Sequence, residues 1–254
     1  MITLSMVIEY DGTDFSGWQI QPNAPTIQES LQNSWKKITG QNISLIGSGR
    51  TDSGVHALGQ VATAQLSGIL IPEAKVAFAM NSILPKTIKI QKAKYLSIEF
   101  HPRFDAISRE YVYYLGWELS VFNRRFIAEN SKEINFGKIT EIAPIFLGEN
   151  DFTSFSKHNP DIKNNKCKIE ISNWSKIDNN IFKYHINSNH FLYGMVRAIV
   201  GVMIDYVIGK ISKEQIEFML QNPKREYNFT FAKPNGLYLS KVNYSDEINK
   251  LLYD

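Results

Sequence analysis

The densest run of chemically capable residues in the chain is Gly47-Ser48-Gly49-Arg50-Thr51-Asp52-Ser53-Gly54-Val55-His56. Three glycines within eight positions require a sharply turned backbone that another group can approach closely. Gly49 and Gly54 have the spacing of a phosphate-binding P-loop, yet Val55 and His56 stand where Lys and Ser or Thr are needed. A dinucleotide fingerprint fails as well, because Asp52 occupies its third glycine position, so no nucleotide cofactor is expected. What remains is Arg50 and Asp52 displayed on a glycine-rich loop. Taken alone, that loop has two readings. It is a local turn in which Asp52 bonds nearby backbone N–H groups, or it is a carboxylate and a guanidinium held out for chemistry.

A second candidate is Arg197. Phe191, Leu192, Met195, Val196, Ile199, Val200, Val202, Met203 and Ile204 predict a helix over 191–208 with almost no polar face, hence a buried one. Arg197 falls in its middle. A buried guanidinium left unpaired costs on the order of several kcal/mol. No carboxylate lies three or four residues away, and Asp205 is eight positions on, roughly 12 Å along the axis. Either an acid arrives from elsewhere in the fold, a tight glycine loop being a natural source, or Arg197 reaches the surface or bonds backbone carbonyls.

The third candidate is the strand over 108–115. Alternation places Arg109, Tyr111, Tyr113 and Leu115 on one face and Glu110, Val112 and Tyr114 on the other. Basic and aromatic groups sharing a sheet face can stack on a nucleobase and clamp it. Tyrosines in strands also serve as ordinary core packing. The five histidines show no metal-ligand spacing and no cysteine cluster accompanies them, so metal binding is not expected. Cys167, the single cysteine, excludes an intramolecular disulfide and points to a reducing compartment. No G-x-S-x-G elbow is present.

The elements that must position these residues come in a repeating order. A strand over 3–10 ends at Asp11-Gly12; a helix then opens at Pro25 with a capping box, Thr26 and Glu29, and closes at Gly40. Strands are expected at 43–46 and 59–66, a helix from Pro72 to about Ile83, and a strand over 87–96. The order recurs with a strand over 106–115, a helix over 136–146, strands over 168–176 and 181–186 joined by Asp178-Asn179-Asn180, helices over 191–208 and 213–220, and a strand over 237–244. Two successive ferredoxin-like units are the architecture this order predicts. With 43% hydrophobic and 21% charged residues, the chain of 254 is globular rather than disordered. A net charge of only +3 permits a nucleic-acid partner without demanding one. The apolar run 198–204 is too short for a membrane span, and the first residues carry no signal-peptide pattern. A cytoplasmic soluble protein is expected. The polar segment 157–168 carries Lys157, Lys163, Lys166 and Lys168, either as a solvated loop or as a contact for an acidic partner.

At these residues the chain resembles the bacterial tRNA pseudouridine synthase A family. Gly49-Arg50-Thr51-Asp52-Ser53-Gly54-Val55-His56-Ala57 matches that family's signature loop. Tyr10-Asp11-Gly12-Thr13 with Phe15 and Gly17-Trp18-Gln19 is similar to its opening, and residues 81–85 to the end of its second helix. Phe104-Asp105-Ala106 with Arg109, Tyr111 and Tyr113 is similar to its central strand. Phe146-Leu147-Gly148-Glu149 with Asp151-Phe152, Met195-Val196-Arg197 and Gly236-Leu237-Tyr238-Leu239 complete the set. One departure stands out. Where the family usually reads Thr-Ala-Pro before the last strand, this chain has Phe231-Ala232-Lys233-Pro234, which bears on the pocket rim and not on the nucleophile.

The resemblance implies an α+β fold of two ferredoxin-like βαββαβ halves in a pseudo-twofold arrangement around a central basic cleft. Residues 1–104 would carry the catalytic loop and 105–254 would complete the cleft. It implies a cytoplasmic homodimer that isomerises uridine to pseudouridine on the 3′ side of the tRNA anticodon stem-loop, with neither metal nor organic cofactor. Carried over by motif, Asp52 is the catalytic nucleophile and Arg197 its partner, which keeps it ionised. Tyr111 packs on the target base, Arg50 contacts the RNA near the flipped nucleotide, and Arg109 and Leu237 complete the substrate-binding set. Two other readings stand beside this one: a synthase acting at a different tRNA position, and a non-catalytic RNA-binding module that has no need of Asp52.

Overall fold

The computed structural model describes residues 2–68, 70–160 and 164–253. The chain is a mixed α/β protein that folds as two compact units, Met1–Ile107 with Tyr238–Asp254, and Ser108–Leu237.

The first unit opens with β1 (Ile2–Tyr10), α1 (Ile27–Thr39), β2 (Ile46–Gly47), β3 (His56–Leu66), α2 (Glu73–Ile83) and β4 (Ile88–Leu96). β1 is central, antiparallel to β3 on one side and to β4 on the other, and β2 pairs antiparallel with β3. Residues 3–8 of β1 are buried on both faces of the strand. Helix α1 forms where the sequence places it. The Thr26 hydroxyl accepts the Glu29 N–H at 3.4 Å, Ile27, Leu31 and Trp35 turn inward, and Gly40, at φ 75°, ends the helix by donating its N–H to the Lys36 carbonyl. Only glycine takes that left-handed conformation without strain.

The second unit holds β5 (Ser108–Gly116), β6 (Ala128–Glu129), α3 (Phe136–Ile142), β7 (Gly148–Asp151), β8 (Lys166–Asp178), β9 (Ile181–Ser188), α4 (Met195–Val207) and α5 (Lys213–Gln221). Its sheet runs β5-β9-β8-β7, every neighbour antiparallel, with β6 alongside β5. The expected hairpin is present, with Asp178 opposite Ile181 and residues 179–180 at the turn. The helix expected over 136–146 is α-helical only to Ile142 and finishes as a 3-10 turn over Ala143–Phe146, where Pro144 cannot donate to an α-helical ladder. Lys157 lies before β8, Lys166 and Lys168 lie within it, and Lys163 falls outside the described residues.

After a 3-10 turn at Pro234–Gly236 come β10 (Leu237–Asn243) and α6 (Asp246–Tyr253). From Tyr238 onward the chain belongs to the first unit, and β10 runs parallel to β3 with Tyr238 opposite His56 and Leu239 opposite Ala57. Among the described residues no helix is long and apolar enough to cross a membrane.

The helix expected over 191–208 begins later than its apolar pattern suggests. Gly194 sits at φ 72° and caps α4, so the helix starts at Met195 and Arg197 is in its first turn, not its middle. The helix is buried on nearly every side, as the composition requires, but Arg197 is only half-buried.

Candidate active site

The glycine-rich loop is fixed residue by residue. The Thr51 hydroxyl lies 2.8 Å from the Tyr10 hydroxyl in a buried hydrogen bond, and the Thr51 carbonyl accepts the Trp18 N–H at 3.1 Å. Gly17 permits the second contact. It sits at φ 90°, and a Cβ there would lie 2.5 Å from the Thr51 oxygen. The Asp52 carbonyl accepts the Val55 N–H at 3.1 Å, which closes a turn through Gly54 at φ 76°. The Ser53 hydroxyl and the Gly54 N–H both donate to the Phe15 carbonyl, at 3.1 and 3.4 Å. On the other flank the Ser48 hydroxyl bonds Gln60 at 2.6 Å, and the Gln60 amide returns to the Gly49 carbonyl at 3.0 Å. The main chain therefore closes this turn, and the loop presents Asp52 half-buried and Arg50 exposed.

His56 locks the loop to the opening Asp11-Gly12 turn. Its Nδ1 accepts the Gly12 N–H at 3.0 Å, its ring stacks on Tyr238 at 4.7 Å, and it is buried. Asp11 Oδ1 lies 3.3 Å from the same nitrogen. A nitrogen that accepts a backbone N–H has no proton to offer a carboxylate. That oxygen instead takes the Thr13 N–H and hydroxyl, at 3.0 and 2.6 Å. The imidazole is accordingly neutral and the contact is not an ion pair.

The remaining candidate residues sit in the second unit. In β5 burial does not follow the expected alternation: Val112 is buried along with Tyr113 and Leu115, while Arg109 and Tyr111 are half-buried. Arg109 donates to the Asn189 carbonyl at 2.9 Å. The Tyr111 ring meets Phe191 edge to face, with centroids 5.1 Å apart, so its plane is set by a neighbouring aromatic. Tyr113 is packing rather than recognition. Its hydroxyl donates to the Lys233 carbonyl at 3.0 Å, and burial pushes its pKa well above the usual phenol range, with the Arg197 charge opposing that shift.

Arg197 is held by the segment just before β10. Its Nε donates to the Ala232 carbonyl at 2.8 Å, and the Ala232 N–H returns to the Arg197 carbonyl at 2.9 Å. A cation in the first turn of a helix opposes the helix dipole and needs such acceptors. Arg197, Gly201 and Asp205 fall four apart on one face of α4. Asp205 accepts the Thr230 N–H at 3.3 Å, and Gly201 approaches so closely that a Cβ would lie 1.8 Å from the Thr230 oxygen. Residues 230–232 are thus a strap laid along α4. Lys233 extends it, donating to the Glu129 carbonyl at 2.7 Å. Leu237, buried, follows the 3-10 turn and starts β10. Sequence reasoning missed the strap, Tyr10 and Phe191 as positioning groups. Tyr10 was visible as part of the opening motif, whereas the strap acts through backbone atoms and leaves no side-chain pattern.

The family model described as tRNA pseudouridine synthase matches residues 6–105 and 142–245, a range that holds Arg50, Asp52, Arg197 and Leu237. The tRNA pseudouridine synthase A of Chlorobium limicola is 39% identical over 93% of this chain and 97% of its own length. That of Bacteroides fragilis is 37% identical over 95% of this chain and 96% of its own, and that of Acetivibrio thermocellus 36% identical over 96% and 100%.

Proposed function

The chain belongs to the tRNA pseudouridine synthase family, and from that premise we propose that Asp52 is the carboxylate that acts on the target uridine. The reaction is the isomerisation of uridine to pseudouridine in tRNA. Its balance is simple: the bond from ribose C1′ to base N1 breaks, a bond from C1′ to C5 forms, and the C5 proton is exchanged for one at N1. No group is gained or lost, so one well-placed carboxylate and a site that holds the detached base suffice. The target nucleotide has to leave its stack, at a cost of about a few kcal/mol. Tyr111, its ring plane set by Phe191, replaces that stacking. Arg197 supplies the counter-charge for Asp52, Arg50 and Arg109 meet the RNA backbone, and Leu237 packs on the base.

The single observation that carries this reading is the anchoring of residue 51 through both its hydroxyl and its carbonyl. A loop that only turned the chain would not need its apex pinned next to a half-buried acid. The first unit runs βαββαβ and the second contributes β5, α3, β8, β9 and α4 in the same order. This order supports two ferredoxin-like halves, 1–104 and 105–254, which this reading sets in a pseudo-twofold arrangement around a basic cleft. The active form in this reading is a cytoplasmic homodimer, and the target lies on the 3′ side of the anticodon stem-loop. Incubation with unmodified tRNA, followed by mapping of pseudouridine nucleotide by nucleotide, tests activity and position together. No pseudouridine would refute the reading, and pseudouridine elsewhere in the tRNA would correct its position.

A further inference from the structure

The loop between β4 and β5 carries a feature that the reaction does not use. Phe104 is 76% exposed, an unusual state for a phenylalanine held in a rigid turn. The rigidity comes from His101. Its Nδ1 accepts the backbone N–H groups of both Arg103 and Phe104 at 3.2 Å, and its ring stacks on Phe104 with centroids 4.3 Å apart and planes 30° apart. Asp105 closes the turn from the other side: its carboxylate accepts the His101 N–H at 2.8 Å, and its own N–H donates to the His101 carbonyl at 3.1 Å.

The turn is also tied to the core of its unit. The Tyr244 hydroxyl donates to the Pro102 carbonyl at 2.8 Å, Phe100 packs edge to face on Tyr244 at 5.0 Å, and the Ile107 N–H donates to the Asn243 carbonyl at 2.8 Å. Six hydrogen bonds and a stacked imidazole hold Phe104 outward, where solvent wets most of the ring. Beside it the Arg103 guanidinium lies 5.7 Å from the ring centroid.

A largely exposed aromatic ring on a stiff support, with a guanidinium lying over it, is an arrangement that can take up an unpaired base. The ring stacks on the base, and the cation meets the adjoining phosphate or stacks in turn. Because His101 has already taken one face of Phe104 and fixed its rotamer, little side-chain freedom remains to be lost on binding. A protein partner is a poorer fit. The exposed group is a single ring with polar and charged neighbours, not an apolar patch. We propose that Phe104, with Arg103 beside it, is a stacking platform for an unpaired nucleobase of the tRNA substrate, outside the residues that perform the isomerisation. The proposal rests on the tRNA reading above.

The test uses the full-length protein and an unmodified tRNA transcript. Filter binding across a range of salt gives affinity and salt slope, sedimentation gives the state of the free protein, and single-turnover kinetics at saturating enzyme give the chemical step. Phe104→Ala should weaken binding about 5- to 150-fold, the range for one stacked base, with the salt slope unchanged. Phe104→Trp, which keeps a flat ring, should stay within about twofold of wild type. Arg103→Gln should lower the salt slope by about one, the signature of one lost phosphate contact. The chemical step should be the same in all three once tRNA is bound. Unchanged affinity in Phe104→Ala overturns the proposal, as does a Trp variant no better than the Ala variant. Altered sedimentation of free Phe104→Ala also overturns it, because the ring would then cover a second copy of the chain. Each of these outcomes leaves wild-type pseudouridine formation intact, so failure here is distinguishable from failure of the functional reading.

Discussion

Substituting Gly201 with Ala should be more damaging than a glycine-to-alanine change in a helix has any right to be. In an interior helical position alanine is favoured over glycine by roughly 1 kcal/mol. Here the added Cβ would lie 1.8 Å from the Thr230 oxygen and 3.1 Å from the Ala232 nitrogen. An ordinary carbon–oxygen approach is about 3.3 Å, so the strap must retreat by about 1.5 Å. Such a retreat breaks the bonds between Ala232 and Arg197, now 2.8 and 2.9 Å. The bond to the charged Nε contributes about 1.5–3 kcal/mol and the neutral one about 1. Setting the helix gain against these losses leaves a net destabilisation of about 1.5–3 kcal/mol. Urea unfolding measures that term. Catalysis should fall further than stability, because Arg197 loses the acceptor that sets its side chain. Single-turnover pseudouridine formation in folded Gly201→Ala protein should therefore drop at least tenfold. Adding Arg197→Met to Gly201→Ala should cost little more, since both act through the same guanidinium. A Gly201→Ala protein that is more stable than wild type and fully active would refute the strap argument.

Two further outcomes follow from contacts elsewhere. Thr51→Val should remove the buried hydrogen bond to the Tyr10 hydroxyl, lower stability by about 1 kcal/mol and reduce kcat with KM little changed, whereas Thr51→Ser should retain both. Thermal unfolding with steady-state kinetics checks this, and a full-activity Thr51→Val would remove residue 51 from the positioning of Asp52. Burial, with the nearby Asp151 charge adding to it, pushes the Cys167 thiol up from 9.0 to about 12. The folded state thus favours the protonated thiol, and its contribution to stability is intact below pH 9 and lost as pH rises toward about 12. Native protein should resist alkylation at pH 8 while urea-unfolded protein reacts readily, and rapid labelling of the native form would contradict the buried placement.

How far these features could be read in advance differs from element to element. Helix α1 was legible because its signals are local: Pro25 and Thr26 before it, Gly40 after it, and apolar residues at helical spacing between. The start of α4 was not, because Phe191 and Leu192 extend the apolar pattern past the point where Gly194 turns left-handed. That shift makes Arg197 a first-turn residue gripped by a strap rather than a mid-helix one. It bonds a backbone carbonyl through Nε, the outcome kept open when its helix was read from sequence. β7 is a polar Gly-Glu-Asn-Asp stretch that becomes a strand only because β8 offers it an edge, and no alternation marks it. The glycine-rich loop was legible as a loop. What pins it, Tyr10, Trp18 and Phe15, comes from residues more than thirty positions away in sequence, where spacing carries no information.

The central claim is that Asp52 performs the chemistry on a uridine of tRNA. Asp52→Asn preserves the shape of the side chain and the main-chain bonds of its turn, but an amide is neither a nucleophile nor a base. The decisive measurement is single-turnover pseudouridine formation on unmodified tRNA by wild type and Asp52→Asn, with tRNA affinity measured on the same preparations. The account predicts product from wild type, none above background from the variant, and affinities within a few-fold of each other. Turnover by Asp52→Asn within tenfold of wild type would contradict it and return the loop to a structural turn.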